Sequence, residues 1–122
     1  MCPEYEKIEI SQLVAILSEP KALPSIPKNR ELKVLELAAG CGKNIKPVSD
    51  FFKSNGISIG KYIAMDYLEA NKVKAIENGI IEATNFIVDN LINWDYKDNE
   101  GKAITGIEFL IIWNTLCYFS FD

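Results

Sequence analysis

"VLELAAGCGKN", residues 34–44, decides how this chain is read. An apolar run carrying a single acid, Glu36, gives way to Ala38-Ala39, then Gly40-Cys41-Gly42, then Lys43 and Asn44. The wider run LKVLELAAG, bounded by charge before it and glycine after it, predicts a buried strand. A Gly-x-Gly directly after such a strand lets bare main chain come close to a ligand, where side chains would fill the space. Taken alone, the same pattern also fits a plain tight turn from strand to helix.

Working outward, Ile45, Val48, Phe51 and Phe52 recur at helical spacing between Asn44 and Asn55. Pro47 falls in the first turn, where its missing N–H costs nothing, and Gly56 closes the helix. KYIAMDY predicts a second strand. LEANKVKAIENG predicts a helix with Ala70, Val73 and Ile76 on its inner face and Asn78-Gly79 as its stop. TNFIVD predicts a third strand, and LINWDYKDNEGKAITG a polar, turn-rich crossover. IEFLIIWNTLCYF is the most apolar run and reads as a central strand entering a helix or loop. Upstream, SQLVAILS (11–18) predicts a short helix behind Ser11, followed by a connector holding Pro20, Pro24 and Pro27. Residues 1–30 are therefore read as helix and connector, and 31–122 as one α/β domain. Alternating strands and helices imply parallel pairing with right-handed crossovers, and continuous apolar strands imply a sheet covered on both faces.

Composition narrows the chemistry. The chain has 122 residues, enough for one domain with its own core. Its net charge of −4 argues against non-specific binding along a nucleic-acid backbone. Three scattered cysteines, Cys2, Cys41 and Cys117, point to reduced thiols and a cytoplasmic protein. There is no histidine, which removes the commonest general base, the histidine-activated nucleophiles and most zinc sites, so no metal centre is expected. The start, MCPEYEKIEI, is polar and acidic, unlike a secretory signal. The longest apolar run is too short to span a bilayer.

In open α/β sheets, ligands bind outside the carboxyl ends of the strands. Asp66 ends the second strand, where a carboxylate can accept hydrogen bonds from a ribose diol. The dinucleotide fingerprint G-x-G-x-x-G is not met, because Ile45 stands at its third glycine. The pattern instead resembles the class I S-adenosylmethionine-dependent methyltransferases, whose first motif runs acid-x-G-x-G-x-G. Here it reads Glu36-Leu37-Ala38-Ala39-Gly40-Cys41-Gly42, with Ala38 in place of the first glycine. Lys43-Asn44 looks like the family's opening of the next helix. YIAMDYLEAN looks like the second motif, FIVDNLINW like the third and FLIIWNTLCYF like the fourth, so the likeness runs over residues 30–119.

The resemblance implies a Rossmann-like three-layer αβα sandwich with a mainly parallel sheet in the order 3-2-1-4, lacking the C-terminal part of the family fold. It implies S-adenosyl-L-methionine as cofactor. Glu36 would lie near the methionine ammonium, Ala38, Gly40 and Gly42 would form the close turn, and Asp66 would hold the ribose. Tyr67 would flank the adenine, and Asp89 and Asn90 would meet its edge. Each has a plainer alternative. Glu36 pairs with Lys33 or backbone N–H groups, Asp66 caps a helix, Asp89 and Asn90 form an Asx turn, and Tyr67 is core. Cys41, Trp94 and Trp113 are read as loop and packing residues. Asn114 is a candidate for orienting an acceptor, with a strand-end cap as its plainer alternative; the Asn/Asp-Pro-Pro-aromatic run of enzymes that methylate amino groups of bases or of glutamine is not present, which argues against those acceptors.

The function implied is methyl transfer to an unidentified small-molecule or protein acceptor by in-line positioning. The alternative is a non-catalytic methyltransferase-like subunit that binds the cofactor and scaffolds or activates a partner. A different nucleotide-binding Rossmann module is a third reading. The order 3-2-1-4 would leave Phe109–Trp113 on an outer edge, which predicts an oligomer or a partner subunit covering it.

Overall fold

The computed structural model describes Ala15, Ile26 and residues 28–112. The helix expected over 11–18, most of the proline connector, Trp113 and Asn114 lie outside the described residues. Strands β1 (Leu32–Leu37), β2 (Ile59–Asp66), β3 (Phe86–Val88) and β4 (Phe109–Ile112) form one sheet. Its order is β3-β2-β1-β4, and every pairing is parallel. This is a Rossmann-like α/β arrangement. Leu37 lies opposite Met65, and Asp66 opposite Val88, so β1, β2 and β3 end at nearly the same level. The loops that follow them therefore converge.

Helix α1 (Ile45–Ser54) buries Ile45, Val48 and Phe52, the i, i+3, i+7 face anticipated by spacing. Burying each such side chain stabilises the fold by roughly 1.5–3 kcal/mol. Phe52 also meets Phe109 of β4 edge to face, with ring centroids 5.1 Å apart. The helix stops in a Schellman turn. Gly56 is left-handed at φ +73°, its N–H bonds Lys53 O, and the N–H of Ile57 reaches back to Phe52 O.

Helix α2 (Glu69–Glu77) ends the same way at Asn78-Gly79, but its inner face differs from expectation. Ala75 is the buried residue, while Val73 remains 44% exposed and Ala70 and Ile76 are exposed too. The helix is rotated so that Asn71 and Ala75, four residues apart on one face, turn inward. Ala75 allows close approach to the sheet, and Asn71 uses that approach to reach Asp66 at 2.8 Å.

The two faces of the sheet are covered differently. Leu32, Val34, Tyr62, Ala64, Phe86 and Ile111 pack under the helices, together with Ile26. Leu35, Leu37, Ile63, Met65 and Ile87 form the opposite face. Among the described residues no helix covers that second face. The irregular crossover 89–108 covers it instead, through Leu91, Trp94, Ile104 and Ile107. A helical third layer is thus not seen there. The crossover is held by its polar side chains: Asp98 accepts the N–H groups of Glu100 and Lys102, and Asn99 reaches Phe86 O.

β4 is an edge strand among the described residues, not a central one. Ile111 is buried, but Leu110 and Ile112 are 51% and 53% exposed on the crossover face, beyond the cover that protects Leu35 and Leu37. No described helix is long and apolar enough to cross a membrane.

Candidate functional site

The turn after β1 takes its shape from residues in left-handed backbone conformations. Ala38 has φ +53°, Gly40 +61° and Gly42 +85°. Ala38 stands where the resembling motif has glycine, and its methyl makes that conformation costly by about 1–2 kcal/mol. The two glycines serve different ends. A Cβ on Gly42 would come within 3.1 Å of Ile45 and 3.2 Å of Ile80, so this glycine lets the turn pack on the protein itself. A Cβ on Gly40 would meet no protein atom within 4 Å, so the space in front of it is open.

Asp66 fastens this turn to the end of β2. It is only 3% exposed. Its Oδ1 accepts the N–H of Gly40 at 3.1 Å, and its Oδ2 accepts the N–H of Leu68 at 3.1 Å and the Asn71 amide at 2.8 Å. The main chain repeats the tie, with Ala39 N–H donating to Met65 O and Asp89 N–H to Asp66 O. Asp66 does not cap the helix, whose N-cap is Leu68 without a side-chain cap; its bond from the Leu68 N–H closes a local turn ahead of the helix, and the same carboxylate shapes the glycine turn.

Beside this knot lies a cavity of about 270 Å³, lined by Ala38, Met65, Asp66, Tyr67, Asn90, Leu91 and Ile92. These residues come from the carboxyl ends of β1, β2 and β3, the place where open α/β sheets receive ligands. Tyr67 and Ile92 are 57% and 72% exposed, so the cavity rim is apolar and accessible. Asn90 accepts the Ile92 N–H at 3.0 Å, and Asp89 accepts the Asn90 N–H at 2.7 Å. An Asx turn is therefore present at Asn90, and Asp89 is exposed without lining the cavity.

Glu36 lies behind the turn, not in the cavity lining. It is 1% exposed and accepts the Tyr62 hydroxyl at 2.5 Å and the Asn44 amide at 3.1 Å. Neither Lys33 nor a backbone N–H is its partner in the hydrogen bonds seen, and Lys33 donates instead to Thr105 O at 2.7 Å. Burial raises the Glu36 carboxyl from 4.5 to about 7, against the opposing pull of the hydrogen bonds from Tyr62 and Asn44. Burial first, and then the charge of Glu36, push the Tyr62 phenol upward, so it stays a donor.

Tyr62 and Asn71 were not singled out by sequence reasoning. Asn71 left a faint signal, a polar residue one turn into the helix that follows a strand-ending acid. Tyr62 becomes visible only once the β1–β2 register sets it opposite Val34, diagonal to Glu36. Cys41 is a free, half-buried thiol in the turn. Trp94 is buried, packs on Tyr96 at 4.8 Å and donates to Lys97 O, as a packing residue would. Models of known protein families gave no match to this chain, and neither did the curated proteins.

Proposed function

We propose that the chain binds S-adenosyl-L-methionine at the carboxyl edge of the sheet and acts as a methyltransferase on a small-molecule or protein acceptor. The observation that carries this reading is the cavity where Ala38, Asp66, Tyr67 and Asn90 meet beside a turn with open space at Gly40. In it, Asp66 accepts from the ribose, and Tyr67 and Ile92 flank the adenine. Asn90, with Asp89 beside it, meets the adenine edge. The Gly40 main chain passes close to the ligand, while Gly42 supports the turn from behind. Glu36, buried behind the turn, makes no direct contact with the ligand in this reading and instead supports the turn through Asn44 at the start of the next helix. The sulfonium supplies the leaving group when bound, so the chain's own task is to hold donor and acceptor in line and keep water out. That division of labour suits a sequence without histidine.

The exposed Leu110 and Ile112 support a further part of the reading, a second copy or partner subunit against the β4 edge. The satisfaction of Asp66 by protein donors, and the strained Ala38, favour the alternative of a non-catalytic, cofactor-binding subunit.

Calorimetric titration with S-adenosylmethionine, S-adenosylhomocysteine and NAD is the test. Saturable heat with the first two and none with NAD is expected. Tyr67→Ala removes a half-exposed rim residue without touching the core, and should weaken binding several-fold at unchanged melting temperature. Binding of NAD alone, or of nothing, refutes the reading. Methyl transfer to a candidate acceptor separates enzyme from scaffold.

A further inference from the structure

The helix-covered side of the sheet carries a groove of about 450 Å³ between α1, β2 and the connection from α2 to β3. It shares no described residue with the cavity at Asp66. Small-molecule sites usually have volumes of about 300–1,000 Å³. Ile45, Tyr62, Ile80 and Ile81 give the groove an apolar lining. That lining is fixed before anything binds. The Tyr62 hydroxyl is tied to Glu36, the Ile80 N–H bonds Ala75 O, and Ile45 and Ile80 pack against the back of the turn at Gly42. Three polar side chains, Ser49, Glu82 and Asn85, complete it. Among the described residues, none of these three side chains forms a hydrogen bond or an ion pair, so their donors and acceptors stay available. Glu82 is exposed, and it is the one charged group of the described lining.

We propose that this groove is a second binding site, for a small amine with an apolar body. Its ammonium pairs with Glu82, with Ser49 and Asn85 as further hydrogen-bond partners, and its body lies on Ile45, Tyr62, Ile80 and Ile81. A carboxylate at the exposed end of an apolar groove selects by sign. An anion meets repulsion there, and a neutral ligand gains nothing from the charge. The site does not depend on the adenosyl reading above, because neither its lining nor its charge belongs to that cavity.

The test is titration of the full chain with tryptamine and with indole-3-acetate, two probes that carry one apolar body and opposite charges, followed by amide NMR. Tryptamine is expected to saturate with a Kd of about 1 mM, moving the amides of Ser49, Ile80 and Asn85 but not those of Tyr67 and Asn90. Indole-3-acetate should bind about three-fold more weakly or worse, and Glu82→Gln should remove that difference. Ser49→Phe fills the groove from α1 and should abolish binding of both probes. Equal binding of the two probes to the wild type overturns the proposal. So does tryptamine that fails to saturate by about 10 mM, that shifts only amides elsewhere, or that binds Ser49→Phe as well as the wild type.

Discussion

Replacing Glu36 by Gln isolates the energetic effect of a buried acid. In the folded chain its carboxyl titrates near 7, against 4.5 ordinarily, because burial penalises the charge more than Tyr62 and Asn44 relieve it. The folded state therefore binds a proton that the unfolded state has already released between those values. Stability falls wherever the native state holds more protons, so the contribution of protonated Glu36 is fully present below pH 4.5 and is lost as pH rises through 7. The interval corresponds to about 3 kcal/mol. Glu36→Gln keeps an acceptor for the Tyr62 hydroxyl and carries no charge. Urea unfolding of both proteins at closely spaced pH values, followed by fluorescence, gives the difference directly and cancels the other carboxylates. The variant should gain on the wild type by about 3 kcal/mol between pH 4.5 and 8, with most of the change before pH 7. A flat difference, or a variant that loses ground as pH rises, refutes the reasoning.

Ala38→Gly relieves a left-handed alanine but adds chain entropy to the unfolded state, for a net gain of about 0.5–1 kcal/mol in urea midpoint analysis. Gly40→Ala should cost about 1 kcal/mol, from backbone strain alone. Gly42→Ala should cost about 2 kcal/mol or more, because its new methyl also presses on Ile45 and Ile80; equal losses in a thermal melt contradict the split. Asp66→Asn places an amide against donors on both sides and should lower stability by about 1–3 kcal/mol, measured by denaturant titration. Light scattering should show an oligomer that Leu110→Lys with Ile112→Lys dissociates, and a monodisperse wild-type monomer speaks against a covered β4 edge.

The strands were legible because a parallel sheet buries both faces and writes itself as unbroken apolar runs, as in Leu32–Leu37. Both helix ends were legible because Asn-Gly marks the left-handed exit. The inner face of α2 was not, because Ala75 adds almost nothing to an apolar pattern and Asn71 subtracts from it. Val73 and Ile76 made the stronger signal on the wrong side. The edge position of β4 followed from strand order but not from its own composition, since Phe109–Ile112 looks as apolar as an inner strand. At the site, Asp66 followed from its place at a strand end, and Ala38, Tyr67 and Asn90 from the resemblance, which also named Glu36 and Asp89, neither of which lines the cavity. What Asp66 and Glu36 bond to did not follow, because those partners depend on register and helix rotation.

The sheet is assembled from near and far neighbours. β1 meets β2 across a single intervening helix, and β2 meets β3 across another, but β4 lies against β1 only after the whole of 38–108 has been threaded. Closing so long a segment carries the largest entropic cost of any pairing here, and such distant contacts form late. Of the two edge strands, β4 is therefore the one expected to join last and detach first. The β1–β2–β3 portion with its two helices, which already holds the Asp66 knot, is expected to outlast it in hydrogen exchange, with the amides of β4 exchanging first.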